Sequence, residues 1–435
     1  MERMKAQLDL KGIMSPSGLK GATERLGRAV LHPVRTLRVL ADVPGLISTR
    51  DHLADLVNAY TAPGFTHPPV VVSMAPPWIL DPDPPTAQVK EAVRRVVDAY
   101  HRAMADFEHP SRSMWNLIEA KHSDFLEALR ERRLDSVGDW LARLFQTDLV
   151  WGLGVVGGDH ATCLRQDPER SHLHRALADV LVSLGEAASV LRVTSIEQQG
   201  VRIHQEALHV ALDAVLLAIE QKTGLGLSFP PVGAACGFRL AGRLITLDSI
   251  IHSYTVHRLR QLGATAEASI AEIGGGYGCL AALCYRAGYR NYTIVDLPWV
   301  NVLQGYFLTM ALPPGAVRLY GETSGVVAVL PHWCLHQLLD HSLDYVVNTD
   351  SLPEIGPETA NRYIAEIARC LRGIFLSINQ EAKAPNVDAV TQNCVTELIE
   401  RHGGFRVLAR SRAWMRQGYV EEVFAPGPPS GRSGN

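Results

Sequence analysis

From Ala87 to about Thr147 apolar residues return at every third or fourth position: Val89, Val93, Val96, Val97, Tyr100 and Met104, then Trp115, Ile118, Phe125 and Leu129, then Leu141, Leu144 and Phe145. That period belongs to amphipathic helix, here in several pieces. Two more such stretches follow, His172–Leu191 and His204–Gln221, the second with Leu208, Ala211, Leu212 and Val215 on one face. Gly224, Gly226, Pro230, Pro231, Gly233 and Gly237 then read as a loop before a helix over Ser249–Leu262. Beyond it the period changes. Short apolar runs, Ser269–Ile273, Tyr292–Val295, Val317–Tyr320 or Val326–Leu330, Leu343–Asn348, Ile374–Ile378, Phe405–Ala409 and Val420–Ala425, are separated by helical segments. Alternating strand and helix predicts an α/β fold, a mostly parallel sheet covered by helices. The expected division is a basic arm and Pro-rich connector (1–85), a mainly helical domain (86–230), an α/β domain (231–428) and a disordered tail (429–435).

Length agrees with more than one domain: 435 residues are two or three times the usual domain size. Lys and Arg number 42 against 45 Asp and Glu. A formal charge of −3 gives no global field for a phosphodiester backbone, so nucleic acid is not expected as a partner. The balance hides an asymmetry, because residues 1–40 carry eight Lys or Arg and three Asp or Glu. Seven cysteines without a C-x-x-C pair form neither a disulfide framework nor a zinc ribbon, which fits reduced thiols and a cytoplasmic setting. The longest uncharged stretch, Leu56–Leu80, contains Pro63, Pro68, Pro69, Pro76 and Pro77 and so is not a membrane-spanning helix.

Ligands of open α/β sheets sit at the carboxyl ends of the strands, so the residues after each run matter most. The first run leads into Glu272-Ile273-Gly274-Gly275-Gly276-Tyr277-Gly278, a strand turning through glycines into a helix. Glycines at 274, 276 and 278 let backbone N–H groups approach a ligand at the positive end of that helix. A dinucleotide loop wants G-x-G-x-x-G/A; counting from Gly274 puts Cys279 at the third glycine, and Glu272 would sit badly beside a pyrophosphate. The spacing suits an uncharged or cationic ligand, and S-adenosylmethionine, with a sulfonium and an ammonium but no phosphate, is one. The second run ends in Asp296-Leu297-Pro298, where a carboxylate can accept both hydroxyls of a ribose.

The later runs end in Asn348-Thr349-Asp350-Ser351-Leu352-Pro353-Glu354 and Asn379-Gln380-Glu381. Their acids and amides make a candidate hydroxyl-binding site with a carboxylate base. Asp350 is the first candidate, supported by Glu354 and Glu381, and Asp350, Asn379 and Glu381 are candidate oxygen ligands for Mg2+. Of the seventeen histidines, His252, His257, His332 and His341 lie near these segments and are expected to be surface or packed residues.

AEIGGGYG, YTIVDLP, YVVNTDSLPEI and FLSINQEA, in this order and spacing, resemble the sugar O-methyltransferase family of class I S-adenosylmethionine-dependent enzymes. The segment GFRLAGRLITLDSIIHSYTVHRL upstream of the glycines is similar as well. The resemblance implies a Rossmann-like class I methyltransferase sheet over residues 230–425. It implies cofactor contacts from Glu272, Gly274, Gly276, Tyr277, Gly278, Asp296, Leu297 and Asn348, with Asp350 and Glu354 near the acceptor. The activity so implied is transfer of a methyl group from S-adenosylmethionine to a hydroxyl of a sugar or glycosylated natural product. The helical segment would cover the acceptor or form a homodimer. Methyl transfer to nitrogen, carbon or carboxylate, a nicotinamide-dependent oxidation and a non-catalytic binding module are the alternatives the residues leave open.

Overall fold

The computed structural model describes residues 71–72, 76–108, 110, 113, 115–154, 157–166, 172–193, 209–383 and 392–427. The basic arm and the C-terminal tail lie outside the described residues. Twelve helices are described: α1 (Ala87–Ala105), α2 (Trp115–Lys121), α3 (Ser123–Arg130), α4 (Leu134–Leu141), α5 (Gly158–Gln166), α6 (His172–Ala187), α7 (Leu212–Thr223), α8 (Leu247–Gln261), α9 (Cys279–Arg286), α10 (Pro298–Ala311), α11 (Pro357–Cys370) and α12 (Val395–His402). The strands are β1 (Val71–Val72), β2 (Pro77–Ile79), β3 (His209–Val210), β4 (Cys236–Leu240), β5 (Arg243–Ile245), β6 (Ser269–Ile273), β7 (Asn291–Asp296), β8 (Val317–Leu319), β9 (Val327–Pro331), β10 (Leu343–Thr349), β11 (Leu371–Gln380), β12 (Phe405–Arg412) and β13 (Tyr419–Pro426).

Eight strands make the central sheet, in the order β12-β13-β11-β10-β6-β7-β9-β8. β13 runs antiparallel to both β11 and β12, and every other pairing is parallel. This is a Rossmann-like, doubly wound α/β sheet. Its first strand, β6, is central; the chain builds outward through β7, then crosses back to β10 on the other side. That switch opens a crevice beyond the carboxyl ends of β6 and β10. β6 is buried along its whole length, as a strand covered on both faces must be. The alternative left open for the third run is settled in favour of both, since Val317–Leu319 and Val327–Pro331 are paired strands.

The helical segment rests on this sheet through shared core. In α1, Thr86 Oγ1 caps the first turn by accepting from Val89 N at 3.2 Å, and Val89, Val93, Val96, Val97 and Tyr100 form its buried face. α1 packs against α10, and buried residues of the helices and of β6, β7 and β9 belong to one continuous cluster.

One expectation is overturned. The stretch read as loop before α8 contains a hairpin, β4 and β5, joined by Ala241 and Gly242 at φ 47° and 74° and paired on its outer side with β2. Two consecutive positive φ values are what a tight two-residue hairpin needs. The alternation in Gly237-Phe238-Arg239-Leu240 was masked by the glycines and prolines before it.

Candidate active site

Three strand ends build the cleft. After β6 the chain turns through Gly274 and Gly276 at φ 69° and 54°, values an L side chain adopts only with strain. A Cβ on Gly276 would stand 2.5 Å from the carbonyl oxygen of Leu153, so the segment Trp151–Gly154 can lie against the loop only because the side chain is missing. Gln304 on α10 fixes the loop from behind: its Nε2 donates to Gly276 O at 2.9 Å and to Asp296 Oδ2 at 2.8 Å. The result is a cleft of about 370 Å³ lined by Glu272, Gly274 to Gly276, Asp296, Leu297, Asp350, Glu354 and neighbouring residues.

Two carboxyls stand beside the glycine loop. Glu272 is 3% exposed, and its Oε2 accepts from the Tyr292 hydroxyl at 2.9 Å. Burial pushes its carboxyl up to about 8, with Asp296 adding to the effect. Asp296, at the end of β7, accepts from Leu297 N at 2.8 Å as well as from Gln304, and burial pushes it up to about 7. Neither carboxyl forms an ion pair among the described residues.

The other end is framed by Asp350. It sits at φ 62°, with its N–H donating to Asn379 Oδ1 at 2.9 Å. Arg416 Nη1 donates to its Oδ2 at 2.5 Å and the Tyr419 hydroxyl to its Oδ1 at 2.7 Å, while the guanidinium stacks 4.0 Å from the Tyr419 ring. Both carboxylate oxygens are thereby engaged. Glu354 also lines the cleft, and burial together with the nearby Asp350 pushes it up to about 8.

Several residues singled out in the sequence lie elsewhere. Tyr277 is buried in an aromatic cluster with Phe145, Phe229 and Phe307, its hydroxyl donating to Asp248 Oδ2 at 2.8 Å. Gly278 caps α9 and faces Leu308. Asn348 is a clamp between strands: Nδ2 donates to Ile273 O at 2.9 Å and Oδ1 accepts from Asn379 Nδ2 at 2.9 Å. Glu381 pairs with Arg410 at 2.7 Å and accepts from Thr396, away from the cleft lining. The trio Asp350, Asn379 and Glu381 therefore does not fit a divalent cation, since its oxygens are committed to different partners and Glu381 stands apart. Among the described residues no three His, Cys, Asp or Glu side chains gather as a metal site.

The structure also adds residues. Asp248 and His252, one helical turn apart on α8, both line the cleft, as do Trp115, Gly152 to Gly154, Arg416 and Tyr419. The i, i+4 spacing of Asp248 and His252 was visible in the sequence. Nothing local marked Arg416 or Tyr419, which reach the cleft because β13 is inserted between β11 and β12. Burial lowers the His252 pKa, so its ring is neutral at neutral pH, and its Nδ1 is buried without a partner. Thr349 Oγ1, also of a lining residue, is likewise buried and without a hydrogen-bond partner.

No family model and no curated protein matches the chain. Among solved structures, the PH0226 protein of Pyrococcus horikoshii is 15% identical over 41% of this chain and 90% of that one, with a TM-score of 0.33. The glycopeptide N-methyltransferase MtfA complexed with sinefungin is 16% identical over 41% and 94%, TM-score 0.31. The 1,6-didemethyltoxoflavin-N1-methyltransferase of Burkholderia thailandensis, with 1,6-didemethyltoxoflavin and S-adenosylhomocysteine bound, is 19% identical over 42% and 77%, TM-score 0.27. Likeness of this depth says nothing about the chemistry of the cleft. Among the described residues no helix is long and apolar enough to cross a membrane.

Proposed function

We propose that the chain is an S-adenosylmethionine-dependent methyltransferase whose acceptor is a hydroxyl of a sugar or glycosylated small molecule. One observation carries the reading: buried Glu272 and half-buried Asp296, two carboxyls with no ion-pair partner among the described residues, flank a glycine loop at the switch point of the sheet. Carboxyls so placed offer a pyrophosphate no cation, ionise most readily against an ammonium or sulfonium, and accept hydrogen bonds from hydroxyl groups. That donor and acceptor set fits a nucleoside with a cationic tail. A nicotinamide dinucleotide does not fit it.

When bound, S-adenosylmethionine supplies a methyl group activated on a sulfonium. Asp296 would hold the ribose hydroxyls, the Gly274–Gly276 backbone would approach the ligand closely, and Glu272 would answer its positive charge. At the acceptor end Asp350, locked by Arg416 and Tyr419, is a positioning residue rather than a free base. Glu354, its carboxyl pushed up to about 8, would be a hydrogen-bond donor at neutral pH, with Trp115 and Tyr419 also lining the cleft. Holding an acceptor in line supplies much of the rate in a displacement of this kind.

Isothermal titration with S-adenosylhomocysteine, sinefungin and NADH tests the cofactor. The first two bind and NADH does not; Asp296→Ala weakens S-adenosylhomocysteine at least about tenfold, the worth of a charge-assisted hydrogen bond. Binding of NADH in their place would overturn the reading.

A further inference from the structure

A sugar hydroxyl must give up its proton as it attacks a methyl group, and the polar groups at the strand ends are poorly placed to take it. Asp350 has both carboxylate oxygens engaged, Oδ2 by Arg416 and Oδ1 by the Tyr419 hydroxyl. Beside the glycine loop, Glu272 accepts from Tyr292, and Asp296 accepts from Leu297 N and Gln304. Ser351 Oγ donates to Ile273 O at 2.8 Å. His252 is different. Asp248, Ile251 and His252, at i, i+3 and i+4 on α8, all line the cleft, so one face of that helix is turned to it. The helix is firmly seated, with Ile250, Tyr254 and Val256 in the core and a capping box between Thr246 and Ser249 at its start. His252 makes no hydrogen bond among the described residues. Its Nδ1 is buried, which leaves the Nε2 side of the ring as the part that meets the cleft. A hydrogen bond at one ring nitrogen ordinarily fixes which of the two carries the proton. None does so here, and Nε2 can therefore hold either a lone pair or a proton, as a group that takes a proton and then returns it must. Burial keeps the ring neutral at neutral pH, and the charged groups that act on it, Asp248 on α8 and Arg416 from the turn before β13, have opposite signs.

We propose that His252 is the catalytic base, its Nε2 taking the proton of the acceptor hydroxyl. As the proton leaves, an oxygen lone pair forms the bond to the methyl carbon, and the carbon–sulfur bond breaks with its electron pair going to sulfur. The sulfonium becomes a neutral thioether and the neutral imidazole an imidazolium, so the positive charge is conserved; the imidazolium then returns the proton to water. Asp248, one helical turn away, favours the charged ring at that moment. The inference rests on the methyltransferase reading of the cleft, and it gives Asp350 the task of orienting the acceptor while His252 deprotonates it.

The experiment uses the full chain, S-adenosylmethionine with a radiolabelled methyl group, and the methyl glycosides of glucose, galactose, mannose and rhamnose as probes. His252→Gln is expected to lower kcat about a hundredfold or more on each glycoside that the native protein methylates, with KM and the sinefungin affinity from isothermal titration within about threefold. Imidazole added to His252→Ala should restore part of the lost rate and leave the native rate unchanged, a response that a packing role would not give. A readout without turnover uses diethyl pyrocarbonate, which acylates neutral imidazole: peptide mass spectrometry should find His252 modified in the native protein, and less so when a methylated glycoside is present with sinefungin. Full kcat in His252→Gln, a lost rate that imidazole does not restore in His252→Ala, or a His252 that the reagent leaves untouched overturns the proposal. So does a native protein that binds sinefungin and methylates none of the glycosides. Failure of sinefungin to bind the native protein overturns the cofactor reading instead.

Discussion

Replacing Glu272 by Gln should make the ligand-free protein more stable, and increasingly so as the pH rises. The native carboxyl moves from an ordinary 4.5 in the unfolded chain to about 8 in the fold, because it is buried beneath the glycine loop with Tyr292 as its hydrogen-bond donor. The raised value means that the folded state keeps a proton the unfolded chain gives up. The stability linked to that proton is therefore full below about pH 4.5, is lost steadily as the pH climbs, and is gone above about pH 8. At about 1.4 kcal/mol per pKa unit the accumulated cost is about 3 kcal/mol near pH 7 and about 5 kcal/mol above pH 8. A glutamine carries no such cost, and its amide oxygen can still accept from the Tyr292 hydroxyl at that position.

Urea denaturation of both proteins without ligand, at about pH 5, 7 and 8.5, measures the difference. The variant should match the native protein within about 1 kcal/mol at the lowest pH and exceed it by about 3 kcal/mol at neutrality. A difference that stays constant with pH, or a native protein that gains on the variant as pH rises, would refute the claim that this carboxyl is buried without a counter-charge. The same variant should bind S-adenosylhomocysteine more weakly. A group that costs stability where it lies and faces a cleft is kept for the ligand it meets there.

Two further substitutions probe how the loop is held. Gly276→Ala puts a Cβ 2.5 Å from Leu153 O at φ 54°, so sinefungin affinity should fall at least about tenfold with the circular dichroism of the fold retained; unchanged affinity would mean the loop does not touch the ligand. Tyr277→Phe removes the hydroxyl that donates to buried Asp248 and should cost about 1–2 kcal/mol in urea denaturation while leaving the sinefungin affinity within about twofold. A large loss of affinity there would return Tyr277 to the cofactor contacts.

How much of this was legible in the sequence follows from the range over which each feature is decided. β6 is a run of buried residues with its glycine turn directly behind it, so its limits, Ser269–Ile273, were readable from five neighbouring residues. Glu272, Gly274, Gly276, Asp296 and Asp350 reach the cleft because each lies at or just beyond the carboxyl end of β6, β7 or β10, and a strand's carboxyl end is fixed by the chain's local direction. Tyr277 sits in the same short motif yet faces the other way. Residues 274 to 276 carry the backbone through a tight turn, and the next side chain is delivered to the underside, where Phe145, Phe229 and Phe307 from three separate segments receive it. Its orientation is set by partners more than forty positions distant on one side and about thirty on the other, which no motif contains.

Glu381 makes the same point by opposite means. It is one residue beyond the last of β11, so its position relative to the sheet was correctly inferred, but which of the two faces it serves depends on the strand beside it. β13 enters the sheet antiparallel at that place and brings Glu422, with β12 bringing Arg410, so that Glu381 is drawn into a pair with Arg410 at 2.7 Å. The same reversed strand carries Tyr419 to the cleft, and the turn before it carries Arg416 to Asp350. One topological event, the insertion of β13 between β11 and β12, thus removes one carboxylate from the site and fixes another within it. Alternation of apolar runs reports that a strand exists; its neighbours and direction are decided by the whole sheet, and here that decision determines which acids are left to meet a ligand.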